Sequence, residues 1–197
     1  MNTKRNTEIE IRGKLSPKNF ERVMAVFKKD GKPTNHYLRL SIDLSPGFNP
    51  KTRSWGKGST LDLRLKKSGK SEKISIKIGQ FHQKKRKEIE VELKEGEFLN
   101  AVELLEILGF NKGMIYFGEN WEFDFQGFQV KLSKYTSNYY TWEIESGNPE
   151  FNPNELAKYL KLKPYSKKEY TEAINWENKN IHKLFTKNQI KNYLRLF

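Results

Sequence analysis

Glu8 and Glu10 stand two residues apart near the start of the chain, and Glu143 and Glu145 repeat that spacing near its end. Side chains two apart on a β-strand share one face. Each pair therefore offers two carboxylates to a single partner, and carboxylate oxygens suit a hard divalent cation, Mg²⁺ or Mn²⁺. A second set is cationic: Arg12, Arg39, Arg64, Lys66, Lys77, Arg86 and Lys131. Guanidinium and ammonium groups bind phosphate oxygens, Arg often through two parallel hydrogen bonds. Gathered around one space, the two sets would hold a metal–polyphosphate complex. The same residues have a plainer reading, in which each charged face simply meets water.

The elements that must position these residues are strands. Polar and apolar residues alternate strictly over 8–12, 61–66, 74–78 and 87–93, and more weakly over 37–44, 121–125, 128–132 and 140–145. Alternation with period two marks strands with one buried face, and these stretches predict about eight. Short polar or glycine-bearing connections favour antiparallel pairing. Two amphipathic helices interrupt them. One starts at Ser16-Pro17, an N-cap followed by proline at the first helical position, carries Phe20, Val23, Met24 and Phe27, and stops at Gly31 and Pro33. The other covers 97–108, with Gly109 at its end. The tail predicts short helices over 154–160, 166–175 and 187–194. Residues 45–59 form a Gly-, Pro- and Ser-bearing loop with Arg53, Trp55 and Lys57. The reading is one α+β domain over 1–197, with 148–197 as a C-terminal helical segment within it. A sheet of eight antiparallel strands could close into a barrel, its apolar faces packed on outer helices and its charged faces lining a wet lumen.

Composition narrows the function. The 197 residues carry 37 Lys and Arg against 24 Asp and Glu, a net charge of +13, which suits an anionic partner. Only 8 of the 37 are Arg, so a coding bias toward Lys is an alternative source of the excess. With 26 aromatic residues (13 Phe, 9 Tyr, 4 Trp) the chain can build a core. The absence of cysteine excludes disulfides, thiolate metal sites and cysteine nucleophiles. No secretory signal or membrane-length apolar run is visible, and the expectation is a cytoplasmic protein without a membrane partner, monomeric or homodimeric.

Taken in order, the motifs resemble one family. Glu8-x-Glu10-x-Arg12 resembles the E-x-E-x-K signature of the CYTH superfamily, the triphosphate tunnel metalloenzymes. Leu63-Arg64-Leu65-Lys66 resembles its R-x-R strand, Ser75-Ile76-Lys77 the next strand ending in Lys, and Arg86 with Glu88 and Glu90 the strand after it. Leu104-Leu105-x-x-Leu108-Gly109-Phe110 resembles the helix ending in L-G-F, Trp142-Glu143-Ile144-Glu145 the late E-x-E strand, and Leu162-x-Pro164 with Tyr170 the C-terminal segment. The series runs from about residue 7 to 170. Two positions depart from it. Residues 113–120 lack the family's K-x-R, and Ser133 stands where the family carries Asp.

The resemblance implies a tunnel of eight antiparallel strands. It also implies metal-dependent hydrolysis of a triphosphate: inorganic tripolyphosphate, thiamine triphosphate, a nucleoside triphosphate or an RNA 5′-triphosphate. One branch cyclises ATP instead. Under this reading Glu8, Glu10, Glu143 and Glu145 hold Mg²⁺ or Mn²⁺. Arg12, Arg39, Arg64, Lys66, Lys77, Arg86 and Lys131 clamp phosphates, and Glu8, Glu10, Arg64 and Lys77 are the catalytic set. Two alternatives stay open: a non-catalytic module that binds a polyphosphate, a nucleotide or an RNA 5′ end, and a nucleic-acid binder using outer lysines such as Lys84, Lys85, Lys158 and Lys161. Gly56-Lys57-Gly58-Ser59 fails as a phosphate loop, because Lys51 stands where Gly is required. His36, His82 and His182 form no metal motif.

Overall fold

The computed structural model describes residues 9–56, 60–79, 87–136, 138–148 and 150–197. The chain is α+β, and its sheet strands pair antiparallel. It divides into two compact units, one drawn from the residues up to Tyr37 and from Glu119–Ala173, the other from Leu38–Gly118 and Ile174–Phe197. Two strands, β2 (Lys32–Asp43) and β8 (Met114–Phe125), and one helix, α4 (Lys167–Asn180), contribute a part to each unit.

The first unit holds β1 (Ile9–Leu15), α1 (Pro17–Asp30), β9 (Phe128–Tyr135), β10 (Tyr139–Ser146) and α3 (Pro153–Tyr159). Its strand order is β1-β10-β9-β8-β2. Helix α1 begins as the sequence predicts: the Ser16 hydroxyl accepts from the Asn19 N–H at 3.2 Å, and Pro17 follows. The turn from β8 to β9 is two residues long, Gln126 and Gly127, both with positive φ (55° and 81°), as a type I′ hairpin requires. Phe27 from α1, Leu132 from β9 and Trp142 and Ile144 from β10 are fully buried. Phe27 stacks on Phe123 at 5.4 Å. Gly13 lies opposite Trp142; a Cβ there would sit 2.6 Å from the Lys163 carbonyl oxygen, so only glycine lets the two backbones approach.

The second unit holds β3 (Phe48–Asn49), β4 (Ser54–Trp55), β5 (Leu61–Ser68), β6 (Ser71–Ile78), β7 (Lys87–Leu93), α2 (Phe98–Ile107), β11 (Lys183–Leu184) and α5 (Lys187–Leu194). Its order is β8-β2-β5-β6-β7, with β11 paired to β8 and β3-β4 a separate hairpin. Leu40, Ile42, Leu44, Leu65, Phe98, Val102, Ile115 and Ile190 form its core.

The eight longer strands match the eight alternating stretches, with extensions. The stretch expected at 121–125 begins at Met114 and the one expected at 37–44 begins at Lys32. The expected loop over 45–59 contains the β3-β4 hairpin, and the helix expected to end at 175 continues to Asn180. No helix among the described residues is long and apolar enough to cross a membrane.

Candidate functional site

In the first unit the pleat places the acids and bases of β1, β10 and β9 on one face, opposite Trp142 and Ile144. Register aligns them in rows. Glu10 faces Glu145, which faces Gln129; Arg12 faces Glu143, which faces Lys131; Lys14 faces Thr141, which faces Ser133. Residues directly opposite in an antiparallel pair have Cβ atoms about 5 Å apart, so each row is a set of touching side chains. Glu143 is held from both sides, by Arg12 Nη1 at 4.0 Å and by the Lys131 ammonium. The Arg12 guanidinium also lies over the Tyr170 ring, 5.0 Å from its centroid, and the Arg12 carbonyl accepts from the Tyr165 N–H. These contacts draw the C-terminal segment to the E-x-E-x-R strand.

The acid row suits a hard cation in its chemistry. Two carboxylates directly opposite each other repel unless a cation stands between them, and both offer oxygen donors. Glu8, the next acid of that face, lies outside the described residues. Among the described residues no group of three or more His, Asp or Glu is gathered closely enough to hold a metal ion by itself.

In the second unit a comparable polar face runs across β2, β5, β6 and β7. Arg39 pairs with Ser68, Asp43 with Arg64, Arg64 with Ser75 and Ser75 with Glu90, while Lys77 stands between Asp62 and Glu88. The sequence-predicted cations Arg39, Arg64, Lys66 and Lys77 all lie on this face, and each meets an oxygen. Arg39 Nε donates to Ser68 Oγ at 3.1 Å. Lys77 reaches Glu88 at 3.1 Å, and Lys66 lies 3.5 Å from Glu90 and 3.9 Å from Glu88. Lys66 also donates to Ser75 Oγ at 3.1 Å. Burial lowers the Lys66 pKa, although Glu90 and Glu88 oppose it. For Glu90 burial acts upward, but the Lys73 hydrogen bond and the Lys66 charge outweigh it, and its pKa is lowered. Arg86, the seventh predicted cation, lies outside the described residues.

Asp43 and Asp62 are site residues that the sequence reading missed. Both are buried, and both engage Arg64: Asp62 at 2.7 Å and Asp43 at 3.6 Å. Burial, the largest effect, raises the Asp43 carboxyl above its ordinary value, against the pull of Arg64. Burial works against the Arg64 charge too, but Asp43 and then Asp62 outweigh it and raise the guanidinium pKa. Tyr116 stands near this group, its hydroxyl pKa pushed well up by burial and then by Asp43. Its ring lies 4.1 Å from that of His182, which is buried with Glu177. Asp62 was legible, since it shares the alternating face of Arg64 and Lys66. Glu177 and His182 carried no such signal, because they sit where a helix ends.

Ser133 was noted in sequence as standing in an acid's place. It is buried, and its hydroxyl donates to Asn120 Oδ1 at 2.7 Å.

The fold is one found among solved structures, and it is the fold of the CYTH proteins, the triphosphate tunnel metalloenzymes. A conserved hypothetical protein from Pyrococcus furiosus is 20% identical over 82% of this chain and 93% of that one, with a TM-score of 0.58. A protein from Pyrococcus horikoshii is 17% identical over 82% and 93%, with a TM-score of 0.57. A proposed adenylate cyclase from Bacillus halodurans is 17% identical over 81% and 92%, with a TM-score of 0.54. At these identities the likeness is one of fold. No family model matches the chain, and no curated protein matches it.

Proposed function

We propose that the chain binds a triphosphate together with a divalent cation on its charged sheet faces and hydrolyses a phosphoanhydride bond. The observation that carries the reading is the ordered row structure of the first unit, where Glu10 and Glu145 stand one row from Arg12, Glu143 and Lys131. A row of oxygen donors beside a row of cations is the complement of a metal–polyphosphate complex. The CYTH fold supports it, and the name of the Bacillus halodurans relative places nucleotide triphosphates among the candidate substrates. Closure of the strands into an eight-stranded tunnel with these faces inward is part of the proposal.

Glu10, Glu145 and Glu143, with Glu8, would hold Mg²⁺ or Mn²⁺. When bound, that ion supplies Lewis-acid polarisation of phosphoryl oxygens and a site for water. Arg12 and Lys131 bind phosphate oxygens and neutralise charge that builds on the transferring group. Tyr170, stacked on the Arg12 guanidinium, fixes its plane. Glu143 holds Arg12 and Lys131 in place until the more highly charged phosphate displaces it. Arg39, Lys66, Lys77 and Arg86 are the further phosphate ligands of the proposal, with Arg64 and Lys77 in its catalytic set beside Glu8 and Glu10.

One observation favours a second reading, a module that binds without turnover. Asp62 takes both arms of Arg64, and Ser133 offers no charge where the family carries an acid. One panel separates the readings. Tripolyphosphate, ATP, GTP and thiamine triphosphate are incubated with Mg²⁺ or Mn²⁺, and the products are resolved as phosphate, diphosphate or cyclic nucleotide. Phosphate release supports hydrolysis. Binding without any product supports the module, cyclic AMP with diphosphate supports cyclisation, and absence of both binding and products defeats all three.

A further inference from the structure

The row beyond the cations is neutral. Thr141 faces Ser133 across β10 and β9, and Ser133 bonds to Asn120 of β8. All three are buried, with Thr141 0% exposed, Ser133 2% and Asn120 5%. The Thr141 hydroxyl has no hydrogen-bond partner. A buried hydroxyl left unbonded costs free energy, and this one lies on the same face as Glu143 and Lys131, about 7 Å further along the strand. The next position holds two rings. Tyr139 faces Tyr135, their centroids 6.1 Å apart, and the Lys14 ammonium stands 4.9 Å over Tyr139.

Along one face of the first unit the order is thus carboxylates, cations, uncharged hydroxyl and amide groups, then aromatic rings. Each step matches a successive part of one molecule: metal, phosphate, hydroxyl-bearing arm and flat ring. We infer that the Thr141–Ser133–Asn120 row is a subsite for the organic arm of the ligand, so that the chain takes a triphosphate ester with hydroxyl groups and a ring in preference to inorganic tripolyphosphate. The inference rests on the triphosphate reading above and deepens it. Asn120 spends its carbonyl on Ser133 and presents its amide as donor, while Thr141 offers both a donor and acceptors. An inorganic chain of phosphates would bring only anionic oxygens to this row, where no cation of the row itself would meet them. Lys14, the register partner of Thr141, is the long side chain that swings aside to admit the arm.

The test uses the full chain with Mg²⁺ and two probes, ATP and tripolyphosphate, measured by calorimetric titration. The inference predicts tighter binding of ATP. Thr141→Val keeps the shape and removes the hydroxyl; it should weaken ATP about tenfold while tripolyphosphate stays within about twofold. Ser133→Ala should act the same way and provides the measurement if Thr141→Val does not fold. A loss that is equal for the two probes, or no loss for either, overturns the inference while leaving the triphosphate reading intact. If neither probe binds the wild type, the triphosphate reading itself fails and the subsite falls with it.

Discussion

Arg64 and Asp62 stand two residues apart on β5, and the carboxylate takes both arms of the guanidinium: Nε donates to Oδ1 at 2.7 Å and Nη2 to Oδ2 at 3.1 Å. Such a fork is the geometry with which Arg binds phosphate. Asp62 is buried while Arg64 is partly exposed, so the acid occupies the arginine from below and leaves its outer edge toward the polar face. A phosphate reaching Arg64 competes with Asp62. Asp62→Asn should therefore lower the dissociation constant for tripolyphosphate about fivefold, a modest effect because the guanidinium is partly solvated. Titration of the two proteins side by side measures it; weaker binding in the variant would show that Asp62 orients Arg64 instead of competing for it.

The row of Arg12, Glu143 and Lys131 carries the phosphate reading. Lys131→Ala should cut the rate of phosphate release on the order of 10²-fold if the ammonium acts on the transition state. The loss should appear in kcat as well as kcat/KM. An unchanged kcat with a raised KM would assign Lys131 to ground-state binding only.

Lys66 is the cation whose ionisation burial disturbs in the direction of neutrality. Its charge should be lost at lower pH than that of an ordinary lysine. Phosphate affinity should weaken as pH rises toward 10.5, the ordinary lysine value, and Lys66→Arg should remove that weakening, since Arg keeps its proton. Affinity against pH for the two proteins decides the point.

Ser166 and Glu169 form a capping box at the start of α4. Glu169 N–H donates to Ser166 Oγ at 3.2 Å, and Ser166 N–H donates to a Glu169 carboxylate oxygen at 2.8 Å. The Lys163 ammonium, 2.6 Å away, does most to hold the carboxyl down, to about 2 from 4.5, with Ser166 second. A depressed carboxyl pKa means stability that is present above 4.5 and is lost as pH falls toward about 2. Wild type should therefore melt above Glu169→Gln at pH 6, with the gap closing across that window. A gap that persists unchanged at pH 2 would contradict the assignment.

Gly13 and Gly147 give a paired test of packing. A Cβ on Gly13 would meet the Lys163 carbonyl oxygen at 2.6 Å and the Trp142 indole nitrogen at 2.7 Å, whereas one on Gly147 meets nothing within 4 Å. Gly13→Ala should destabilise by about 1–3 kcal/mol, and Gly147→Ala should stay within about 0.5 kcal/mol. Chemical denaturation of both variants checks the contrast.

The parts of this fold that repeat were legible in the sequence. Strict alternation over 61–66 and 87–93 marked β5 and β7, and Ser16-Pro17 marked the start of α1, because a pleat and a cap each impose a local pattern. The early half of β8 was not, since Tyr116, Phe117 and Gly118 break the alternation and the strand is held there by its partners. β11 is two residues long and exists only through its pairing with Met114 and Ile115. At the site, the face of each acid and base followed from period two. Which residues share a row depends on register, a tertiary property: Glu143 lies between Arg12 and Lys131 only because β10 lies between β1 and β9. Asp43 escaped because it ends its strand, and its tie to Arg64 comes from pairing across β2 and β5.

The most direct test of the central claim is a calorimetric titration of tripolyphosphate with Mg²⁺ into wild type and into Arg12→Ala. The account predicts saturable binding by the wild type and a loss of tenfold or more in the variant, about 1.4 kcal/mol or greater. Equal affinity in the two proteins, or no binding by either, would contradict it.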